Sequence, residues 1–421
     1  MLRVELADAR LGMELALPIT HPANPETVLL RTGFTLDDKT ISRLSELRAK
    51  EIWITYPGMD FVSRQICPRI LSAGRRLSGA ISKALDETIP EGKADLDYSP
   101  FRRAIGNLLE RLIDSPRAAT LIVDLASSQI PLARSAGNGS FLALLIGLKL
   151  ETYLMLSRSR VGLLSRDVSN LGMGALLRDI GLTRLEPNER WRWRAADDSI
   201  DPTWREHVQR GYDMLRGGVG PSAAAAVLHH HQRFDGSGFP LRDTFHGEPQ
   251  PVTGTDIHIF ARIVAVADVF DRLRHPAPTA PGAEEPDPVP VVRVLRQMLR
   301  TEMAGWFDPI ILHALVHAVP AFPPGSLVTL NDGRRAVVVS WDPLNPCRPT
   351  VALLPRLAMD PRRFDEPGEQ IDLRTVRGVH IAEAEGQQVN DDLFEPETPS
   401  EFDIHKAQSA MIAVPMERRA G

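Results

Sequence analysis

Three consecutive histidines, His229, His230 and His231, close an alanine-rich stretch from Ala223 to Leu228. They lead into Gln232-Arg233-Phe234-Asp235-Gly236-Ser237-Gly238-Phe239-Pro240. Neutral imidazole nitrogens are good ligands for divalent metals, and adjacent histidines at a helix end can point at neighbouring ions. The segment after them has the chemistry of a tight loop, with glycines for positive φ and a proline to fix the exit. A histidine run can equally be solvated surface, so its meaning depends on what else the chain brings to it. Asp268 is such a residue. It lies inside the apolar stretch Ile263-Val-Ala-Val-Ala-Asp268-Val-Phe-Asp271, where a carboxylate needs a cationic partner, metal or arginine.

A chain of 421 residues exceeds most single domains, so two or three units are expected. With 43% hydrophobic and 24% charged residues it can bury a substantial core, and a net charge of −5 gives no electrostatic reason to bind nucleic acid. Cys67 and Cys347 lie far apart and match no zinc or redox spacing, which suits a reducing cytoplasm. The first residues lack a signal-peptide core. The longest apolar run, Phe141 to Leu148, is too short to span a bilayer, so no membrane is expected.

The elements that must position these groups can be read in order. Residues 1–62 read as a small α+β unit, a regulatory or docking module, with strands at Val28–Gly33 and Glu51–Thr55 around an amphipathic helix from Asp37 to Leu47. Residues 63–100 read as a helical linker, its pattern broken by Pro68 and followed by a polar stretch from Asp86 to Pro100. From 101 to 320 the pattern is helical, clearest over Phe141–Met155, Gly172–Ile180, Trp204–Leu215, Pro221–His231, Ile257–Leu273 and Val289–Met303. Residues 276–288 are too proline-rich to pack and read as a mobile loop. Trp191 and Trp193 lie among arginines, either as a platform for a purine base or as plain arginine–tryptophan packing. Gly325–Leu330, Arg335–Ser340 and Thr350–Leu354 alternate or are β-branched around an Asn331-Asp332-Gly333 turn, which gives a β-unit over 321–381. Residues 382–421 read as a disordered tail. The fold class is mainly α, a helical core flanked by a small N-terminal α+β unit and a small C-terminal β-unit.

The histidine loop resembles the signature of the HD-GYP family, a branch of the HD metallophosphohydrolases of cyclic di-GMP phosphodiesterase type. There a His-His pair precedes Glu-Arg, an aromatic or apolar residue, and Asp-Gly-x-Gly-Tyr-Pro. The pair falls on His230 and His231, while Gln232 replaces the Glu and Phe239 the Tyr. His207-Val-Gln-Arg-Gly211 is similar to the family's His-x-x-x-Gly helix start, and the Asp268 stretch to its late aspartate helix. Ala175-Leu-Leu-Arg178-Asp179-Ile-Gly181-Leu182 stands where the family reads Leu-Leu-His-Asp-Ile-Gly-Lys. Order and spacing agree from about Asn138 to Asp271. The resemblance implies a helical HD-type domain and two or three metals that activate a hydroxide and hold a phosphodiester. It also implies the ligands Asp179 (bridging the ions), His207, His230, His231 and Asp268. The loop residues Arg233, Asp235, Gly236, Gly238, Phe239 and Pro240 are then near substrate or a protein partner.

Three further family positions differ. Arg178 replaces the histidine of the His-Asp pair, Asn138 an earlier ligand histidine, and Leu182 the lysine that helps hold phosphate. The Arg-Pro-Tyr segment is also absent, replaced by Leu273-Arg-His-Pro-Ala-Pro. Arginine has no lone pair to donate and stays charged, so it cannot ligate a cation, and its pair with Asp179 or Asp268 could take a metal's place. The expectation is one divalent ion (Fe, Mn or similar), held by His230 and His231 with Asp268 and His207, rather than a full di- or tri-metal centre. The function expected is that of a cytoplasmic signalling protein with impaired catalysis. It would act by binding cyclic di-GMP or a partner such as a GGDEF-domain or other signalling protein. Two other readings stand beside it: an active phosphodiesterase with a reduced metal complement, and a structural helical module.

Overall fold

The computed structural model describes residues 1–21, 24–47, 49, 51–59, 62, 67–91, 97–115, 131–157, 167–185, 203–244, 247–278, 283, 285–354, 368–398 and 401–413. In the N-terminal unit, β1 (Leu2–Glu5), β2 (Ile19–His21) and β3 (Asn24–Leu30) are followed by α1 (Asp38–Glu46) and β4 (Glu51–Ile54). β1 pairs antiparallel with β4, Leu2 opposite Ile54, and β2 pairs with β3. α1 begins where the Asp37 carboxylate accepts a hydrogen bond from the Thr40 amide at 2.6 Å, an N-cap of the expected kind.

The helical core contains α2 (Pro68–Glu91), α3 (Ser99–Asp114), α4 (Pro131–Lys149), α5 (Glu151–Ser157), α6 (Ser169–Leu177), α7 (His207–Leu215), α8 (Pro221–His229), α9 (Ile259–Arg274), α10 (Val291–Leu299), α11 (Thr301–Ala304) and α12 (Pro309–Ala318). Pro68 opens α2 instead of breaking it, because a first-turn residue has no intrahelical partner for an N–H. Ile70, Ala73, Leu77 and Ile81 of α2 are buried in the main core, so α2 contributes a packed layer to it. α4 buries every residue from Ser135 to Gly147, and α9 buries charged as well as apolar side chains. A glycine sets how closely α4 and α6 approach: a Cβ on Gly172 would lie 2.9 Å from a Leu144 methyl. The chain turns by 85° between α4 and α5, so the run expected as one helix over Phe141–Met155 is two. No single helix among the described residues is long and apolar enough to cross a membrane.

The C-terminal unit contains β5 (Leu327–Leu330), β6 (Arg335–Ser340), β7 (Thr350–Leu353), β8 (Gln370–Asp372), β9 (Ile381–Ala384), β10 (Gln387–Gln388) and α13 (Ile404–Ala413). Its strands form one antiparallel sheet in the order β10-β9-β5-β6-β7-β8. Alternation along the strands buries both faces. Ala336, Val338 and Val351 join the helical core, while Val337 and Ala352 join the core of the N-terminal unit. The sheet therefore sits between the other two units.

Of the stretch 382–421 expected to be disordered, 382–398 and 401–413 are described, and 399–400 and 414–421 lie outside the described residues. β9, β10 and α13 reach into the described part, and Val389, Phe402 and Ile404 are buried. These elements are short and polar on one side, which gives little periodicity, but the sheet and α12 supply the apolar surface they need. In the proline-rich loop the described residues carry no helix or strand, yet Glu285 pairs with Arg134 at 2.7 Å. Trp191 and Trp193 lie outside the described residues.

One buried polar cluster ties the core together. Asp308 caps α12, accepting from the Ile310 amide at 3.0 Å, and also accepts from Tyr153 Oη and Arg262 Nη1. Asp308→Ala would strand the Arg262 charge and is expected to cost about 3–5 kcal/mol. Tyr153→Phe, which leaves the ion pair, is expected to cost about 1 kcal/mol. Urea unfolding of the two variants checks the ranking.

Candidate metal centre

Arg178 and Asp179 lie on the turn where α6 gives way to a 3-10 turn, Ile180–Arg184. His207 is the first residue of α7, and His230 and His231 immediately follow α8. Gly181 lets the 3-10 turn meet α7, since a Cβ there would lie 2.0 Å from the His207 carbonyl oxygen. That close approach sets Asp179 against His207. The histidine loop folds back in the same way: Phe239 N donates to the His231 carbonyl at 3.2 Å, and Gly238 leaves room for it.

Ligand atoms of Asp179, His207, His230 and His231 lie within 4.8 Å of one another, all of them buried. Asp179 Oδ1 is 3.5 Å from His207 Nε2 and 3.6 Å from His230 Nε2. His207 Nδ1 donates to the Trp204 carbonyl at 2.6 Å and His230 Nδ1 to the Val227 carbonyl at 2.8 Å. A carbonyl can only accept, so the protons sit on Nδ1 and the Nε2 lone pairs face Asp179. No hydrogen bond within the described residues reaches Nε2 of His207, His230 or His231. Buried lone pairs left in this state are costly, and a cation would satisfy them. The four residues could together hold a metal ion.

Their protonation agrees with this. Burial pushes the His207 imidazole down to about 4 against the pull of Asp179, and pushes His231 well below its ordinary value. For Asp179, burial acts upward, but the adjacent Arg178 guanidinium outweighs it and holds the carboxyl below its ordinary range. Neutral imidazoles beside an ionised carboxylate are the form that binds metal.

Asp268 is not part of this quartet. Its Oδ1 accepts from Arg178 Nε at 2.9 Å, and its Oδ2 lies 2.9 Å from Arg272 Nε. Arg178, fully buried, is also 3.1 Å from Asp179 Oδ2 and donates to Ser135 O, Ala175 O and, at 2.6 Å, Ser135 Oγ. Its guanidinium lies directly over Gly139, where a Cβ would come within 2.2 Å of Nη1. The single-ion set expected with Asp268 is corrected: Asp179 stands in it, and two arginines clamp Asp268. The sequence shows Arg272 four residues after Asp268, one helical turn away, but not that both point inward. Ser135 and Gly139, likewise one turn apart on α4, are recognisable as a receptacle only once α6 is in place.

The other positions fall as follows. Asn138, on α4, donates to Asp271 Oδ1 at 3.1 Å and stands outside the quartet. Leu182 is buried with Trp204 and Phe239. Trp204, which motif reasoning passed over, stacks on His207 with ring centres 5.1 Å apart. Phe239 stacks on His231 at 4.7 Å, and the turn before it is held by Asp235, which accepts from Ser237 N and Oγ, with Gly236 at φ 85°. The Pro240 carbonyl accepts from Gln232 Nε2. The Arg233 guanidinium lies 3.5 Å over the Trp306 ring.

A family model described as HD domain matches residues 150–308, and one described as KOW domain associated with HD domain matches residues 327–389. Among known relatives, the cyclic di-GMP phosphodiesterase PA4108 of Pseudomonas aeruginosa is 28% identical over 337 residues, 73% of this chain and 74% of that protein. The HD-domain match and this relative support membership of the HD-GYP family. The cyclic di-GMP phosphodiesterase response regulator RpfG of Xanthomonas campestris pv. campestris is 31% identical over 144 residues, 33% of this chain and 34% of the relative. A solved structure, Bd1817, a HDG"Y"P protein from Bdellovibrio bacteriovorus, aligns with 14% identity and a TM-score of 0.43 over 74% of this chain and 97% of that one.

Two outcomes are expected of this geometry. In metal-free protein His207 stays neutral in the folded state down to about 4, whereas an unfolded imidazole protonates near 6.5. Between those values the unfolded chain binds the extra proton, so stability is present above the window and falls by about 3 kcal/mol as pH drops through it. Urea unfolding of chelator-treated protein from pH 7 to 4 measures this, and His207→Asn is expected to flatten the curve. Gly139→Ala forces a methyl into the Arg178 guanidinium and is expected to cost about 1–3 kcal/mol. In an Arg178→His background, where the side chain is shorter, the same change is expected to cost less, which a double-mutant cycle reads directly.

Proposed function

We propose that this HD-GYP-type protein holds one divalent ion, Mn or Fe, in the Asp179–His207–His230–His231 quartet. We also propose that it serves cyclic di-GMP signalling by binding instead of by rapid hydrolysis. The observation that carries this reading is the buried Arg178 guanidinium bonded to Asp268 and adjacent to Asp179. At an effective dielectric of roughly 20, it repels each unit of further positive charge 4 Å away by about 4 kcal/mol, and a divalent ion feels twice that. A second ion beside the first is therefore disfavoured. Leu182, buried where the family resemblance puts a lysine, offers no charge to a phosphate.

An ion in the quartet would supply a Lewis acid for a phosphodiester oxygen. Next to it His230, His231, Arg233, Arg272 and Trp306 line a small cleft, which offers apolar walls and the Arg233 guanidinium to a ligand that reaches the ion. The names of both curated relatives support cyclic di-GMP as that ligand. The loop from Arg233 to Pro240 is the surface proposed to meet a protein partner, a GGDEF-domain or other signalling protein. A second reading, an active phosphodiesterase of reduced metal content, is favoured by the same relatives and by the four remaining ligands.

Elemental analysis of protein purified without chelators is expected to find one Mn or Fe per chain, and titration calorimetry with cyclic di-GMP to find binding without steady turnover. Two ions per chain with steady hydrolysis would establish the second reading. No ion and no nucleotide binding would leave a structural helical module. Because Arg272 also holds Asp268, Arg178→His with Asn138→His is expected to raise metal uptake only when Arg272→Ala is added.

A further inference from the structure

The C-terminal end of α9 carries Asp268, Asp271 and Arg272, and it is gripped from the sheet. Arg274, the last residue of α9 and 1% exposed, places Nη2 2.6 Å from Glu385 Oε2. The other oxygen of Glu385 accepts from the Val291 amide at 3.2 Å, and the Arg274 carbonyl accepts from Val289 N at 2.9 Å. Glu385 lies in the turn between β9 and β10. It is the one non-glycine with positive φ among the described residues, at 51°. That conformation costs a residue with a Cβ free energy, and it persists where surrounding contacts demand it.

The same turn meets the N-terminal unit. A Cβ on Gly386, itself at φ 69°, would lie 2.8 Å from Oε1 of Glu5 on β1. The Glu5 carboxylate of β1 thus lies beside the turn whose own carboxylate, that of Glu385, holds Arg274. We infer that Glu385 is a positioning residue for the metal site, and that the N-terminal unit acts on the site through it. The path is short. Glu5 bears on the Glu385–Gly386 turn, the turn holds Arg274, and Arg274 fixes the helix end from which Arg272 and Asp268 face Arg178. A shift of β1 that weakens the Arg274–Glu385 pair frees the last turns of α9 and with them the clamp on Asp268. The N-terminal unit needs no contact with the quartet to do this.

The inference rests on the one-ion reading only in the second of its two measurements. In the full-length protein, Glu385→Gln and Glu5→Lys are compared with Arg293→Ala. Arg293 ties α10 to the same sheet through Asp392 at 2.7 Å and Gln387 at 2.9 Å, in contacts that bypass α9. The measurements are hydrogen–deuterium exchange over residues 268–275 and Mn²⁺ affinity by titration. Glu385→Gln and Glu5→Lys are each expected to speed exchange there and to weaken Mn²⁺ binding about two- to thirty-fold. Arg293→Ala is expected to change neither at a comparable loss of melting temperature. Glu5→Lys, a surface change, keeps the test open if Glu385→Gln fails to fold. Unchanged exchange in the carboxylate variants, or equal change in Arg293→Ala, overturns the inference. Wild-type protein that takes up no Mn²⁺ would defeat the one-ion reading, while the exchange comparison would still decide this one.

Discussion

Arg178 lies wholly inside the protein, and every element around it has to accommodate a fixed positive charge. Two carboxylates, two backbone carbonyls and a serine hydroxyl surround its guanidinium. A buried ion is tolerated only when its donors are met with good geometry, because desolvation otherwise exceeds the attraction it gains. The partners come from three helices: Ser135 on α4, Ala175 on α6 and Asp268 on α9. Gly139 supplies the space. The relative placement of those helices and the presence of this arginine are one constraint, not two. This separates the substitution from random loss of a ligand, since a receptacle of matching shape and polarity surrounds it.

The charges sharpen what the site can accept. Two buried guanidinium groups, Arg178 and Arg272, face three buried carboxylates, Asp179, Asp268 and Asp271, while His207 and His231 are held neutral. The arginines spend their charge on Asp268 and on one side of Asp179. What remains unmatched is concentrated where Asp179 meets the imidazole lone pairs. Low-dielectric surroundings magnify that imbalance, so a cation is favoured there and opposed a few ångströms away on the arginine side. One scaffold thus presents adjacent positions with opposite preferences.

Much of this was legible in the sequence, for reasons that differ by residue. His230 and His231 stand at a helix end, which the residues themselves suggested, whereas Asp179 was picked out only through the resemblance to the HD-GYP motif. The exclusion of arginine as a ligand follows from its chemistry alone. Asp268 was harder. Its need for a cation could be stated, but whether metal or arginine answered it depended on how α4, α6 and α9 pack. Asn138 had the spacing of a ligand, yet its amide turns to Asp271, a partner 133 residues away. Pro68 shows the ambiguity of a single residue type, since a proline can stop a helix or start one. The elements β10 and α13 were not legible because they are short and show no clear period. Residues such as Val389, Phe402 and Ile404 are buried on surfaces that other segments provide.

That last point bears on how the units work together. A sheet with one solvated face can shift without consequence on that side, but here Val337 and Ala352 face the N-terminal unit while Ala336, Val338 and Val351 face the helices. Close-packed interiors transmit displacement instead of absorbing it. β10 forms one edge of this sheet, as β8 forms the other. The turn that leads into β10 is where Glu385 reaches α9. That turn, with one carboxylate on α9 and the Glu5 carboxylate of β1 beside it, is where sheet, N-terminal unit and the helix carrying Asp268 come together.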